Sequence, residues 1–365
     1  MRSRTVLVVH LALTLGAAAA FAGGDQAAPS PYVPVLSSYI QFRYTDPSKG
    51  DDAWAIRRFK AMLDGGPRDG LRYHVQFIYK TNLQSSTDDQ IYLQDAYVLV
   101  PAARGLAFKV GQFIPPFGLE RFEPDWALDL IDRTDLTNRM VVNGNLGQSF
   151  ARDRGMEVDL ARGGWQWSAG LFQGGGANMD SRGNGPLGVA RLSYGGNESD
   201  GGTPRFWRAG LAASDRHDAD MNLSSELTGL DKKLTSHFAG RDSRLNAFAQ
   251  AGWGKLRGQA EYFSAWLSPD QGGEIVAHGA YGQAAYLPVR QIILALRYEW
   301  FTPDVHTEAA PSLRQWDSSV TYDFRRVPLR LVADYLSPRG GSAAYTHTWR
   351  FQIQYVLLKG LRLWR

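Results

Sequence analysis

The sequence predicts an all-β chain: a transmembrane antiparallel β-barrel of about 16 strands with one long, inward-folded constriction loop. Three observations predict it. Short segments alternate apolar and polar side chains along most of the 365 residues. Successive side chains of a strand point to opposite faces, so each such segment has a greasy face and a wet one. The hydrophobic share is 44%, the balance expected when lumen residues offset lipid-facing ones. The chain also opens on an export signal: basic Arg2 and Arg4, an apolar core from Val6 to Leu15, and Ala20-Phe21-Ala22 as a small-x-small cleavage pattern.

Residues 1–22 are thus read as a signal peptide cleaved after Ala22, and 23–34 as a flexible leader rich in Gly, Ala and Pro. A single barrel domain then fills 35–365. Ile40, Phe42 and Tyr44 alternate with Gln41 and Arg43; Phe59, Ala61 and Leu63 oppose Arg58 and Lys60. Residues 71–80 give the clearest early strand, with Leu71, Tyr73, Val75, Phe77 and Tyr79 against Arg72, His74, Gln76 and Lys80. A less regular segment at 90–100 and a strand at 106–113 follow. Residues 114–152 break the rhythm with Pro115, Pro116, Gly118 and Pro124, many charges and Asn143-Gly144. That is too long for a default connection, and a loop of this length in a large barrel can fold inward and narrow the bore.

Alternation resumes at 153–161 and at 165–171, where Trp165, Trp167, Ala169 and Leu171 oppose Gln166 and Ser168. Strands at 188–194 and 204–213 flank a turn cluster at 195–202, and 214–243 reads as a long exposed loop. Further strands follow at 244–253, 255–266, 277–287, 292–300, 316–324, 329–335 and 349–355. The even tally suits a single-chain barrel, and closure removes the exposed edges of so long a sheet. No later apolar run reaches the 18 or more residues of a spanning helix.

The formal charge of +4 falls to +2 once Arg2 and Arg4 leave with the signal, so nothing asks for a nucleic-acid partner. With no cysteine, thiolate zinc sites are excluded. Gly183-x-Gly185-x-x-Gly188 carries Pro186 and precedes a strand, which makes it a turn and not a dinucleotide fingerprint. Asp218, Asp220 and Asn222 open like a calcium loop, but Leu223 and Gly229 stand where Gly and Glu are required. The histidines lack paired metal spacing, and no Gly-x-Ser-x-Gly elbow is present. No cofactor, metal or catalytic residue is expected, and the chain is not read as an enzyme.

The charges on the wet faces carry the functional expectation. Arg43, Arg58, Lys60, Arg72, Arg208, Arg257, Arg297, Arg330 and Arg350 point inward in this register, and such cations favour anion passage. Glu261, Glu299, Asp317, Asp323 and Asp334 share those faces, so cross-strand pairing is the competing account. The expected pore-lining, anion-contacting residues are Arg58, Lys60, Arg72, Arg297 and Arg330 from strands, with Arg121, Arg133 and Arg139 from the loop. Glu120 is expected to pair with one of the loop arginines.

Four segments resemble the phosphate-selective porin O and P family of outer-membrane channels: IRRFKAML at 56–63, LQDAYV at 93–98, FKVGQFIPPFGLER at 108–121 and ARDRGMEV at 151–158. The similarity is sharp across about 56–170 and rhythmic elsewhere. It implies a homotrimer of 16-stranded barrels in the bacterial outer membrane, each with an inward loop and an arginine-lined path for small anions or phosphate. Lipid, lipopolysaccharide and the outer-membrane assembly machinery are the other implied partners. Such barrels usually end on an aromatic residue. Here Trp364 precedes Arg365, so either Trp364 serves that role or Tyr355 ends the last strand. The expected function is passive diffusion of small hydrophilic solutes with an anion lean, or a non-selective version of it, with an outer-membrane hydrolase as the remote alternative.

Overall fold

The structure is a computed structural model that describes residues 30–362 apart from 68, 82–89, 144–150, 182, 201–202, 225–226, 228–229, 231–234, 307–311 and 340–345. The signal segment, most of the leader and Trp364 with Arg365 lie outside the described residues. Sixteen strands run in chain order. The first half comprises β1 Val35–Pro47, β2 Ala53–Gly65, β3 Arg72–Tyr79, β4 Ile91–Ala103, β5 Leu106–Phe113, β6 Asp153–Arg162, β7 Trp165–Phe172 and β8 Leu187–Asp200. The second comprises β9 Thr203–Met221, β10 Phe238–Trp253, β11 Leu256–Pro269, β12 Ile275–Tyr286, β13 Ile292–Thr302, β14 Leu313–Asp323, β15 Leu329–Arg339 and β16 Thr348–Arg362. Each pairs antiparallel with its neighbours, and β1 pairs with β16, so the sheet closes.

Burial is inverted relative to a water-soluble protein. Phe77, Val110, Met156, Leu171, Leu211, Val320 and Phe351 are exposed on the outer face, whereas Gln41, Gln76, Asn246, Arg297, Thr321 and Gln352 are buried inside. A wall greasy outside and polar within is what a lipid environment selects. Aromatic rings band both rims. Trp165, Tyr194 and Trp207 form a chain with centroids 4.7 and 5.3 Å apart near one end. Tyr335–Trp349 and Tyr298–Trp316 pack at 4.7 and 4.8 Å near the other, where amphipathic rings suit the interface. Connections at the first end span only 2–6 residues, while those at the second run from 5 residues to the 39 of 114–152.

Four expectations need correction. The connection at 195–202 shrinks to 201–202, and most of 214–243 is not loop: β9 runs to Met221 and β10 starts at Phe238. Inward Arg216, Asp218 and Asp242 are buried there, while outward Asp215, His217 and Arg241 are exposed. Polar residues on both faces mark a stretch beyond the lipid, where no alternation is required. Tyr355 does not end the last strand, which continues to Arg362 opposite Val35. Finally, the inner face is not uniformly wet. Phe263, Ala265, Leu267, Ile275, Ala277, Phe301 and Leu313 belong to a buried apolar cluster.

Val320 lies mid-strand on the lipid face of β14, 54% exposed. Val320→Arg should destabilise the folded barrel by about 2–4 kcal/mol, measured as a shift in the folding equilibrium in lipid; the inward Ser319→Arg carries no such lipid-depth penalty.

Candidate functional site

The segment between β5 and β6 turns into the barrel at Gly118, whose φ of +86° favours a residue without Cβ. That turn brings the Leu119 and Glu120 amides onto the Glu261 carboxylate of β11 at 2.7 and 2.8 Å. A 3-10 turn, Glu120–Phe122, and a helix α1, Asp135–Met140, follow. Thr134 caps α1 by accepting from the Thr137 amide at 2.9 Å, and Glu299 of β13 accepts from the Leu136 amide at 2.9 Å. Glu120 accepts from the Thr134 amide and hydroxyl.

The same segment bonds to inward-facing side chains of ten strands. Arg43 and Arg58 hold Asp132, and Lys60 holds Asp125. Arg216, Arg244, Arg257, Gln283 and Arg297 reach Asn143, Met140, Asp129, Asp129 and Asp132. Ser319, Arg330 and Gln354 donate to the carbonyls of Asp129, Trp126 and Trp126. A segment bonded to the inner faces of β9–β16, β1 and β2 lies inside the cylinder. Its apolar side, Phe117, Leu136, Met140, Val141 and Val142, packs on the inward Phe263, Ala265, Ala277 and Phe301, with Phe117 and Phe263 centroids 6.1 Å apart.

The opposite wall stays open. A cavity of about 680 Å³ runs between the loop and β1–β5. Along β3 and just past its end the lining reaches from His74 to Lys80, about 20 Å of extended chain. Two β-bulges shape this wall. Gln41 opposes Arg58 and Phe42 opposes Ile56, leaving Arg57 as the extra residue. Gln76 opposes Asp95 and Phe77 opposes Leu93, leaving Gln94 extra. Each bulge turns two successive polar residues inward, so Arg57 and Arg58, and Gln94 and Asp95, all face the cavity.

Loop carboxylates meet these cations. Asp132 is held by Arg43 at 2.6 and 3.0 Å, by Arg350 at 3.2 Å and Arg57 at 3.3 Å, and by Arg58 at 3.4 Å. Asp125 is held by Lys60 at 2.5 Å, by Arg58 at 2.7 Å and by Arg133. Burial alone raises both carboxyls, but the facing cations outweigh it: Arg133, Arg58 and Lys60 hold Asp125, and Arg43, Arg57 and Arg350 hold Asp132, well below the usual carboxylate range. Glu123 goes the other way. Burial, with Glu120 and Asp129 nearby, pushes it up to about 8.

The expected contact residues divide into two groups. Arg58, Lys60, Arg121 and Arg133 line the cavity. Arg297 faces inward but is bonded to Asp317 at 2.7 Å and to Glu120, so Glu120 meets a wall arginine. Arg330 is bonded to Asp323 at 2.7 Å and to the Trp126 carbonyl. Both anchor the loop on the side away from the cavity. Arg139 pairs with Asp135 at 2.7 Å and lies over Phe301. Arg72 lies on the inward face at the short-connection end of β3, exposed and outside the cavity lining. Among the described residues no group of three or more His, Asp or Glu side chains is placed to hold a metal ion. Asp218 instead pairs with Arg216 at 3.0 Å.

Arg57, Asp95, Asp125, Asp132 and Arg152 were not anticipated. Arg57 had a signal: strict alternation would have put it in lipid, and two adjacent arginines in a spanning strand require a bulge. The loop aspartates had none, because their partners are remote in sequence.

The profile of the phosphate-selective porin O and P family matches residues 37–294. The chain belongs to that family. It is an outer-membrane porin, a closed 16-stranded barrel of the bacterial outer membrane. Solved structures share the fold at low identity. In-vitro folded OmpT of Vibrio cholerae, in its trimer form, is 12% identical with a TM-score of 0.60, over 88% of this chain and 98% of that one. An anion-selective porin from Comamonas acidovorans is 10% identical with a TM-score of 0.60, over 88% and 98%. Salmonella typhi OmpF, in complex with daunomycin, is 13% identical with a TM-score of 0.63, over 88% and 97%. No curated protein sequence matches.

Glu123 lines the cavity of the porin. Below about 8 its carboxyl keeps its proton, and above that it adds a negative charge to the passage. Raising the pH through that value should therefore lower anion preference, read as the reversal potential in a KCl gradient. Glu123→Gln should flatten the profile; an unflattened profile would assign the titration to another group.

Proposed function

We propose that this porin passes small hydrophilic solutes with a preference for anions, through the eccentric passage between the loop and β1–β5. One observation carries the reading. The cavity lining holds eight cationic side chains against four carboxyls. Arg57, Arg58 and Lys60 come from β2, Lys80 follows β3, and Lys109 belongs to β5; Arg121, Arg133 and Arg152 come from the loop. Fixed guanidinium and ammonium groups in a narrow passage raise the local anion concentration and present donors to oxyanions. Elsewhere on the wall the charges are consumed in cross-strand pairs: Arg297 with Asp317, Arg330 with Asp323 and Arg350 with Asp334. Pairing reaches the cavity wall too, where Lys109 meets Glu157 at 2.5 Å and Asp125 and Asp132 meet Arg57, Arg58 and Lys60, but there the lining cations outnumber the lining carboxyls.

On this reading the chain is a passive channel with no covalent chemistry and no cofactor. Residues 1–22 direct export and leave after Ala22, 23–34 form the leader, and 35–365 are one barrel domain. Outer-membrane lipid and lipopolysaccharide surround the barrel, and the assembly machinery inserts it. A homotrimer is the proposed assembly, supported by the trimer form of the similar Vibrio cholerae protein.

Planar-bilayer recording tests the proposal. The reversal potential in a KCl gradient should favour chloride, and millimolar phosphate should reduce chloride current. Arg58→Glu should move the reversal potential strongly toward cations, while Arg72→Glu, off the cavity lining, should move it less. Equal permeability to both ions in the unmodified protein would establish a non-selective porin instead.

A further inference from the structure

The loop aspartates present an arrangement that anchoring alone does not require. Asp129 is the simple anchor. It pairs with Arg257 and Gln283 and lies outside the cavity lining. Asp125 and Asp132 line the cavity, and together they engage cationic groups of Arg43, Arg57, Arg58, Lys60, Arg133 and Arg350. The Asp132 side chain is 18% exposed, so it is reachable from the passage. Two carboxylates thus occupy donors whose geometry would equally suit a phosphate-type oxyanion, since both ligand classes offer paired acceptor oxygens.

We propose that Asp125 and Asp132 set the selectivity of the passage by competing with the permeating oxyanion for the same cationic donors. A solute then exchanges with a tethered carboxylate instead of settling among bare cations. Conduction needs binding favourable enough to admit an ion and weak enough to release it. Several arginines without their carboxylates satisfy the first requirement and fail the second. The passage would then act as a trap for multivalent oxyanions. The inference rests on the anion-preferring reading above and assigns the two residues that tune it.

Three variants in planar bilayers and one fluorescence measurement with its own control variant test it, with inorganic phosphate as the probe. Asp125→Asn and Asp132→Asn should each increase chloride preference and lower the half-blocking phosphate concentration by about tenfold, the factor one charge-assisted hydrogen bond carries. Asp129→Asn loosens the loop without freeing a cavity cation, so its half-blocking concentration should stay near that of the unmodified protein. If Asp125→Asn and Asp132→Asn instead admit potassium and chloride alike, or leave phosphate block unchanged, the carboxylates are tethers only and the proposal is overturned. Should those variants fail to fold, the unmodified protein answers. Phosphate displacing Asp125 should alter the emission of adjacent Trp126, which also lines the cavity, and Trp126→Phe should remove that change. No such difference between the two proteins overturns the proposal. Lack of chloride preference in the unmodified protein would reject the proposed function itself, a distinct outcome.

Discussion

The structure depends on ion pairing between the inner wall and the segment that crosses the bore. Ordering so long a connection carries a large entropy cost, and its buried apolar residues, among them Phe117, Leu128, Leu130, Ile131, Leu136 and Met140, offset part of it. Asp125, Asp129 and Asp132 add to that compensation by meeting arginines and lysine already fixed on strands. Removing one partner would strand a charge in a poorly hydrated interior, which costs more than the pair contributes. The tethers therefore act collectively. Glu261 and Glu299 extend the scheme from the wall side, accepting backbone amides of the loop.

Apolar packing decides where the loop lies. Its greasy side, centred on Leu136 and Met140, meets the inward aromatics and alanines of β11–β13. Gly279 on β12 leaves room for Leu136, whose Cδ1 lies 2.5 Å from where a Cβ would stand. The polar side faces β1–β5 and carries Arg121, Glu123, Asp125 and Arg133 to the cavity. An amphipathic loop thus divides the lumen into a packed half and an open half.

Much of the barrel was legible in the amino-acid order, because every strand inside lipid must hide its polar groups on one face. Ile40 to Tyr44, Leu71 to Lys80 and Trp349 to Tyr355 state their register outright. Legibility failed where that requirement lapses. Above the membrane, β9 and β10 are wetted on both faces, and Asp215 to Asp220 looked like loop. At the bulges the period slips by one residue, which hid Arg57 and made the start of β4 look irregular. From Phe263 to Leu267 on β11 and from Ile275 to Ala277 on β12 the inner face is apolar because the loop covers it. The tethers were invisible for another reason: Asp132 meets Arg43 and Arg350 across 89 and 218 residues of chain.

The off-centre route has a consequence for how size limits arise in such a molecule. Strand number sets the girth of the cylinder, but here the open space is a slot bounded by one stave wall and a curtain. The aperture follows the curtain's depth, so residues 114–143 can retune what is admitted while the sixteen staves keep their girth and their fit to the bilayer.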